Sequence, residues 1–179
     1  MSKTTPITRK TCLITGCSSG GIGDPLAEAF LAKNYHVFAT ARSPSKIGPS
    51  LQAAQNVTIL ALDVSSTSSL KSAVETVSRE TGGRLDVLIN NAGHGMNMPM
   101  LDTSIADAKR LFDVNFFGVL ETVQVFAPLL VEAKGCIVNN SSLGCLQAFP
   151  FNGEDPRRRN DGIFADLGSQ APTAPQKPP

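Results

Sequence analysis

Short runs rich in apolar and β-branched residues alternate along this chain with stretches of helical period, and that alternation constrains the fold more than any other feature. The runs are Thr11 to Thr15, His36 to Thr40, Val57 to Leu62, Leu85 to Asn90 and Gly135 to Asn139. Between them lie helical patterns from Ile22 to Lys33, Thr67 to Thr81 and Ile105 to Ala133, with a short helix expected between the second and third runs. The order β-α-β-(short helix)-β-α-β-α-β predicts parallel strands joined by crossover helices. A run as uniformly apolar as Val57-Thr-Ile-Leu-Ala-Leu62 is expected to be covered on both faces. The fold class is therefore α/β, a Rossmann-type doubly wound parallel sheet.

Length and charge narrow the possible functions. The chain has 179 residues, 41% of them hydrophobic, which fits one globular domain. Sixteen Lys and Arg against fifteen Asp and Glu leave no cationic excess to hold a polyanion, so nucleic acid is not expected as a partner and a small molecule is. No uninterrupted apolar run approaches the roughly 20 residues that span a bilayer, so neither a transmembrane segment nor a signal peptide is expected, and the location read from residues alone is cytoplasmic. Cys12, Cys17, Cys136 and Cys145 show no CxxC or His-paired spacing. They read as unpaired thiols, and no metal site is expected. From Asn152 onward five of the twelve prolines and the run Arg157-Arg158-Arg159 give the composition of a solvated, disordered tail. No internal repeat is visible.

The chemistry concentrates where the first strand meets the first helix, at Thr15-Gly16-Cys17-Ser18-Ser19-Gly20-Gly21-Ile22-Gly23. Glycines there let a backbone bend tightly and approach a pyrophosphate, while free amides and the helix dipole favour its charge. An ordinary strand-to-helix turn also uses glycine, but this position in a βαβ unit favours a dinucleotide. The end of the second strand, Thr40-Ala41-Arg42-Ser43, offers no carboxylate to a ribose 2′-hydroxyl. Arg42, nineteen residues after Gly23, suits a 2′-phosphate, so NADP(H) is expected in preference to NAD(H).

That turn, taken with Asn90-Asn91-Ala92-Gly93, Asn115 and Asn140-Ser141-Ser142, resembles the short-chain dehydrogenase/reductase family over residues 9 to 153. Within it, TGCSSGGIG, the ATAR after the second strand and the FPF before Asn152 are most similar to fungal NADPH-dependent 1-acyldihydroxyacetone-phosphate reductases. The resemblance implies that Gly16, Ser18, Gly21, Ile22 and Gly23 line the pyrophosphate. It implies that Asp63 and Val64 meet the adenine, and that Asn90, Ala92 and Gly93 lie beside its ribose and the central strand; Asp63 could alternatively cap a helix. Asn115 matches the asparagine whose local helix distortion holds a water in the family's proton relay, and Ser142 the serine that hydrogen-bonds the substrate carbonyl. The implied reaction is reduction of a ketone or lipid substrate by NADPH.

The same resemblance places a proton-donating tyrosine at position 155 and a lysine at 159, where this chain has Asp155 and Arg159. Its one tyrosine, Tyr35, precedes the second strand, on the wrong side of the fold. The alternative expectation is accordingly a catalytically inactive, truncated product that holds NADP(H) or pairs with a full-length relative. The expected boundaries are 1–153 for a partial NAD(P)-binding Rossmann domain, C-terminally incomplete, and 154–179 for a divergent tail, an abrupt departure that fits a change of reading frame. The fifth strand is then expected to be an edge and a family-type homodimer interface to be incomplete. By resemblance, peripheral association with endoplasmic reticulum or lipid droplets joins the cytoplasmic expectation.

Overall fold

The structure is a computed structural model and describes residues 6–96 and 102–142. Five strands, β1 (Thr11–Ile14), β2 (His36–Ala41), β3 (Val57–Ala61), β4 (Val87–Asn90) and β5 (Cys136–Asn139), pair in the order β3-β2-β1-β4-β5. Every pairing is parallel. The helices are α1 (Gly23–Ala32), α2 (Pro49–Ala53), α3 (Thr67–Thr81), α4 (Ile105–Phe112) and α5 (Gly118–Ala133), with a 3₁₀ turn at Pro44–Lys46. The Rossmann-type expectation therefore holds, with strand ends shifted by one or two residues. The fourth strand starts at Val87 rather than Leu85, because the Leu85 amide donates to the Leu129 carbonyl instead of to a strand.

The two faces of the sheet bury separate clusters, as the period-2 geometry of strands requires. One packs Leu13, Phe38 and Leu88 against Leu70, Ala73 and Val77 of α3 and Phe126, Leu129 and Leu130 of α5. The other packs Cys12, Ile14, Val37, Ala39, Val87 and Ile89 against Ala27 of α1 and Leu51 of α2. Burial is complete along β1 and β4. It is only partial along β3, and Ala61 is exposed. The apolar run expected to be covered on both faces is a sheet edge, where Val57 and Ile59 pack against one cluster and Leu60 against the other while each stays partly exposed.

Ser66 begins α3 by accepting the Ser69 amide, and Gly82 ends it at φ +69°, a left-handed stop suited to glycine. The long helical stretch from Ile105 holds but is not uniform, since Asp113–Phe117 widens into a π-helical turn between α4 and α5. Together these 29 residues make one helix that is long and apolar enough, by length and composition, to cross a membrane. Isolated polar residues such as Glu121 and Gln124 break the stretch, so that no uninterrupted apolar run in it reaches that length. A core helix of a soluble protein meets the same criterion, and Phe126, Leu129 and Leu130 of this one are buried against the sheet.

Candidate functional site

Winding reverses between β1 and β4, and in such sheets ligands occupy the crevice beyond the carboxyl ends of those strands. The glycine-rich turn lies there. Gly16 has φ +77°, and a Cβ on it would sit 2.9 Å from the Ala92 Cα, so only glycine lets the turn close against the segment after β4. A Cβ on Gly23 would strike the Gly16 carbonyl oxygen. Glycine at both ends thus draws the turn tight onto the start of α1. No side chain caps that helix, Ile22 before it is exposed, and Pro25 at its third position has no amide to leave unsatisfied. The chain leaving β2 braces the turn from the far side: Cys17 N donates to Thr40 O at 2.7 Å, Ser19 N donates to Lys46 O at 2.8 Å, and Ser18 bridges Ile47. Gly21 closes it locally, its amide donating to Ser18 O at 3.0 Å.

Arg42 stands exposed just past β2. Asp63, beyond β3, has its carboxyl held below the ordinary carboxylate range, first by the Ser65 hydroxyl and amide and, less strongly, by the Arg42 charge. Asp63 is not a helix cap, since Ser66 performs that role. Val64 is 6% exposed and packs into the core, where its Cγ2 would lie 2.9 Å from a Cβ on Gly118. Its side chain is therefore committed to packing, which leaves only its backbone for the contact expected of it.

A belt of amides joins the strand ends. The Thr15 hydroxyl accepts from the amides of Asn91 and Ala92, each at 2.9 Å. The Asn91 carboxamide donates to the Thr15 and Gly16 carbonyls at 2.8 and 3.0 Å, and its own oxygen accepts from Asn140 Nδ2 at 2.9 Å. One register row back, Asn90, 4% exposed, donates to Asn139 Oδ1 at 2.8 Å. The glycine turn, the segment after β4 and the start of the Ser141-Ser142 segment are thereby held as one unit. Reasoning from sequence assigned Asn90, Ala92 and Gly93 to this region but gave no task to Thr15, Asn91 or Asn140; the available signal was a pair of adjacent asparagines at the end of each of two apolar strands.

Asn115 sits in the π-helical turn, where Oδ1 accepts from His94 N at 3.1 Å and Nδ2 donates to His94 O at 2.9 Å. Gly93 fits beneath it because a Cβ there would approach Asn115 Oδ1 to 3.2 Å. Ser142 ends the described segment after β5 and is exposed. Positions 155 and 159, Cys145 and the Arg157-Arg158-Arg159 run lie outside the described residues. Tyr35 packs edge-on to Phe30 at a centroid distance of 5.1 Å, at the amino end of β2 and opposite the crevice. Among the described residues no group of His, Cys, Asp or Glu gathers to hold a metal.

A family model described as short chain dehydrogenase matches residues 10–153. The chain belongs to that family. A short-chain dehydrogenase of Penicillium ochrochloron, ptmH, is 48% identical over 135 residues, 75% of this chain and 49% of that protein. An NADPH-dependent 1-acyldihydroxyacetone phosphate reductase of Schizosaccharomyces pombe is 41% identical over 143 residues, 80% of this chain and 48% of that one. Among solved structures, ElxO with NADP bound superposes with a TM-score of 0.76 at 29% identity, covering 89% of this chain and 65% of that one. The chain spans about half the length of the curated relatives it matches.

Proposed function

We propose that this short-chain dehydrogenase chain binds NADP(H) in preference to NAD(H) across the β1–β4 crevice, and that the reaction of the complete site is reduction of a ketone such as 1-acyldihydroxyacetone phosphate. The observation that carries the cofactor reading is the cradle at Gly16 and Gly23. Side chains at these positions would strike the Ala92 backbone and the Gly16 carbonyl, so glycine at both lets the turn close tightly at the first turn of α1, where free amides and the helix dipole favour a pyrophosphate. In this reading Gly16, Ser18, Gly21, Ile22 and Gly23 surround the pyrophosphate, and Arg42 pairs with the 2′-phosphate. The backbone of Asp63 and Val64 borders the adenine, with Asn90, Ala92 and Gly93 beneath the ribose. NADPH, when bound, supplies the hydride. Ser142 holds the carbonyl oxygen and Asn115 orders the proton path, its carboxamide fixed by His94. The likeness to the Schizosaccharomyces reductase supports the substrate class, and the NADP-bound relative supports the cofactor.

A second reading is that this polypeptide holds the cofactor without turnover. Asp155 and Arg159, at the positions where the family resemblance expects a proton-donating tyrosine and its lysine, favour it. An aspartate is ionised at neutral pH and opposes a developing alkoxide. The two readings separate in one experiment, calorimetric titration with NADPH and NADH followed by an absorbance assay of NADPH oxidation with a panel of ketones. NADPH binding that weakens about tenfold or more in Arg42→Ala, while NADH affinity stays unchanged, supports the cofactor assignment. Oxidation of NADPH with a ketone then selects the reductase reading, and its absence selects the binder.

A further inference from the structure

We propose that the imidazole of His94 is a substrate-binding group of this crevice, donating a hydrogen bond to an oxygen on the polar head of the carbonyl compound; this rests on the reading of the crevice given above. His94 follows Gly93 in the segment that leaves β4, at the carboxyl end of the sheet. One side chain grips its backbone from both sides, with the amide donating to Asn115 Oδ1 at 3.1 Å and the carbonyl accepting from Asn115 Nδ2 at 2.9 Å. A loop residue whose two main-chain groups are bonded across 21 positions of sequence is set in place much as a strand residue is.

The side chain it carries is treated in the opposite way. His94 is exposed, and its ring makes no hydrogen bond or ion pair among the described residues. The chain's other histidine, His36, is half-buried, with Nε2 2.9 Å from the Thr58 hydroxyl. A fixed backbone that carries an exposed imidazole with no hydrogen-bond partner among the described residues has already lost main-chain freedom that binding would otherwise cost it, which is the arrangement a recognition group needs. Imidazole carries an N–H donor in either tautomer. Gly93 before it is held side-chain-free by the Asn115 carboxamide, so position 94 bears the first side chain after Ala92 on this rim.

The test uses the full chain, labelled with ¹⁵N, and follows the ring nitrogens of its two histidines by NMR. NADP⁺ is added to saturation, then dihydroxyacetone phosphate as the probe. The expected result is a shift of the His94 ring signals on adding the probe, with those of His36 unmoved. In His94→Ala, NADP⁺ affinity should stay within about twofold of the parent while probe affinity falls about tenfold or more, and His94→Gln should recover part of that loss. The proposal is overturned if the probe does not bind the NADP⁺-loaded protein, if it binds equally well to His94→Ala, or if that variant loses NADP⁺ as well, which would show a structural role. Failure of the parent chain to bind NADP⁺ at all overturns the underlying reading instead, and the proposal with it.

Discussion

Among the described residues the two edges of the sheet are covered to different degrees. In β3, Val57 and Ile59 share the α1–α2 face with Cys12 and Ile14, and both pack against that cluster. In β5, Cys136 and Val138 occupy the same face by register through Val87 and Ile89, yet Cys136 is exposed and Val138 is 44% exposed. On the opposite face both edges are backed, Leu60 and Ile137 alike packing against the cluster that α3 and α5 complete. Among the described residues the β3 edge thus has cover on both faces and the β5 edge on one. The glycine turn is braced from both directions, by Thr40 and Lys46 on the β3 side and by Asn91 and Ala92 after β4, whereas the apolar strip beside β5, uncovered among the described residues, is an aggregation hazard.

Substitution at residues that back or line the two edges tests this contrast. Phe126 is fully buried in the cluster on which the backed face of β5 depends, so Phe126→Ala should cost about 3–5 kcal/mol in urea unfolding. A cost near zero would mean that α5 does not pack as described. Matched substitutions on the shared face come next. Ile59→Ala should destabilise by about 1–2 kcal/mol, and Val138→Ala by less than about 0.5, because half-buried methyl groups lose cover that exposed ones never had. Equal costs would erase the asymmetry.

Acid provides a smaller effect confined to the β3 end. Burial beside Thr58 pushes the His36 imidazole below its ordinary pKa, so the native state binds fewer protons than the unfolded chain. Stability from this source is full above about pH 6.5 and is lost as pH falls below that value through the folded pKa. Thermal melting from pH 7.5 down to 5.5 should show a decline that His36→Gln flattens. The mildest probe is thiol alkylation mapped by mass spectrometry. Cys136 should react in the native protein, while Cys12 and Cys17 resist until unfolding, since burial shields both, pushes the Cys12 thiol up and raises Cys17 to about 11. Protection of Cys136 would show that something covers the β5 face.

Much of this architecture was legible in the residues, for reasons that differ between elements. Thr67–Thr81 was read to the residue because Ser66 and Gly82 punctuate it chemically. The turn at Gly16 was legible because positive φ and close approach to Ala92 leave glycine little competition. That β3 is an edge strand was not legible, since an apolar run reports composition and not the number of neighbouring strands. The π-helical turn came only through family resemblance; nothing in Asp113-Val-Asn-Phe-Phe117 departs from helical period. The role of Asn91 escaped because a side chain that bonds two backbone carbonyls across 75 and 76 positions leaves no local pattern.

The central claim is that the β1–β4 crevice is a working dinucleotide site. Calorimetric titration of the purified chain with NADPH, set against NADH, tests it most directly. Saturable binding of NADPH, tighter than that of NADH and abolished by Gly16→Val, is the predicted result. Absence of binding to a folded chain, or a preference for NADH, would contradict it.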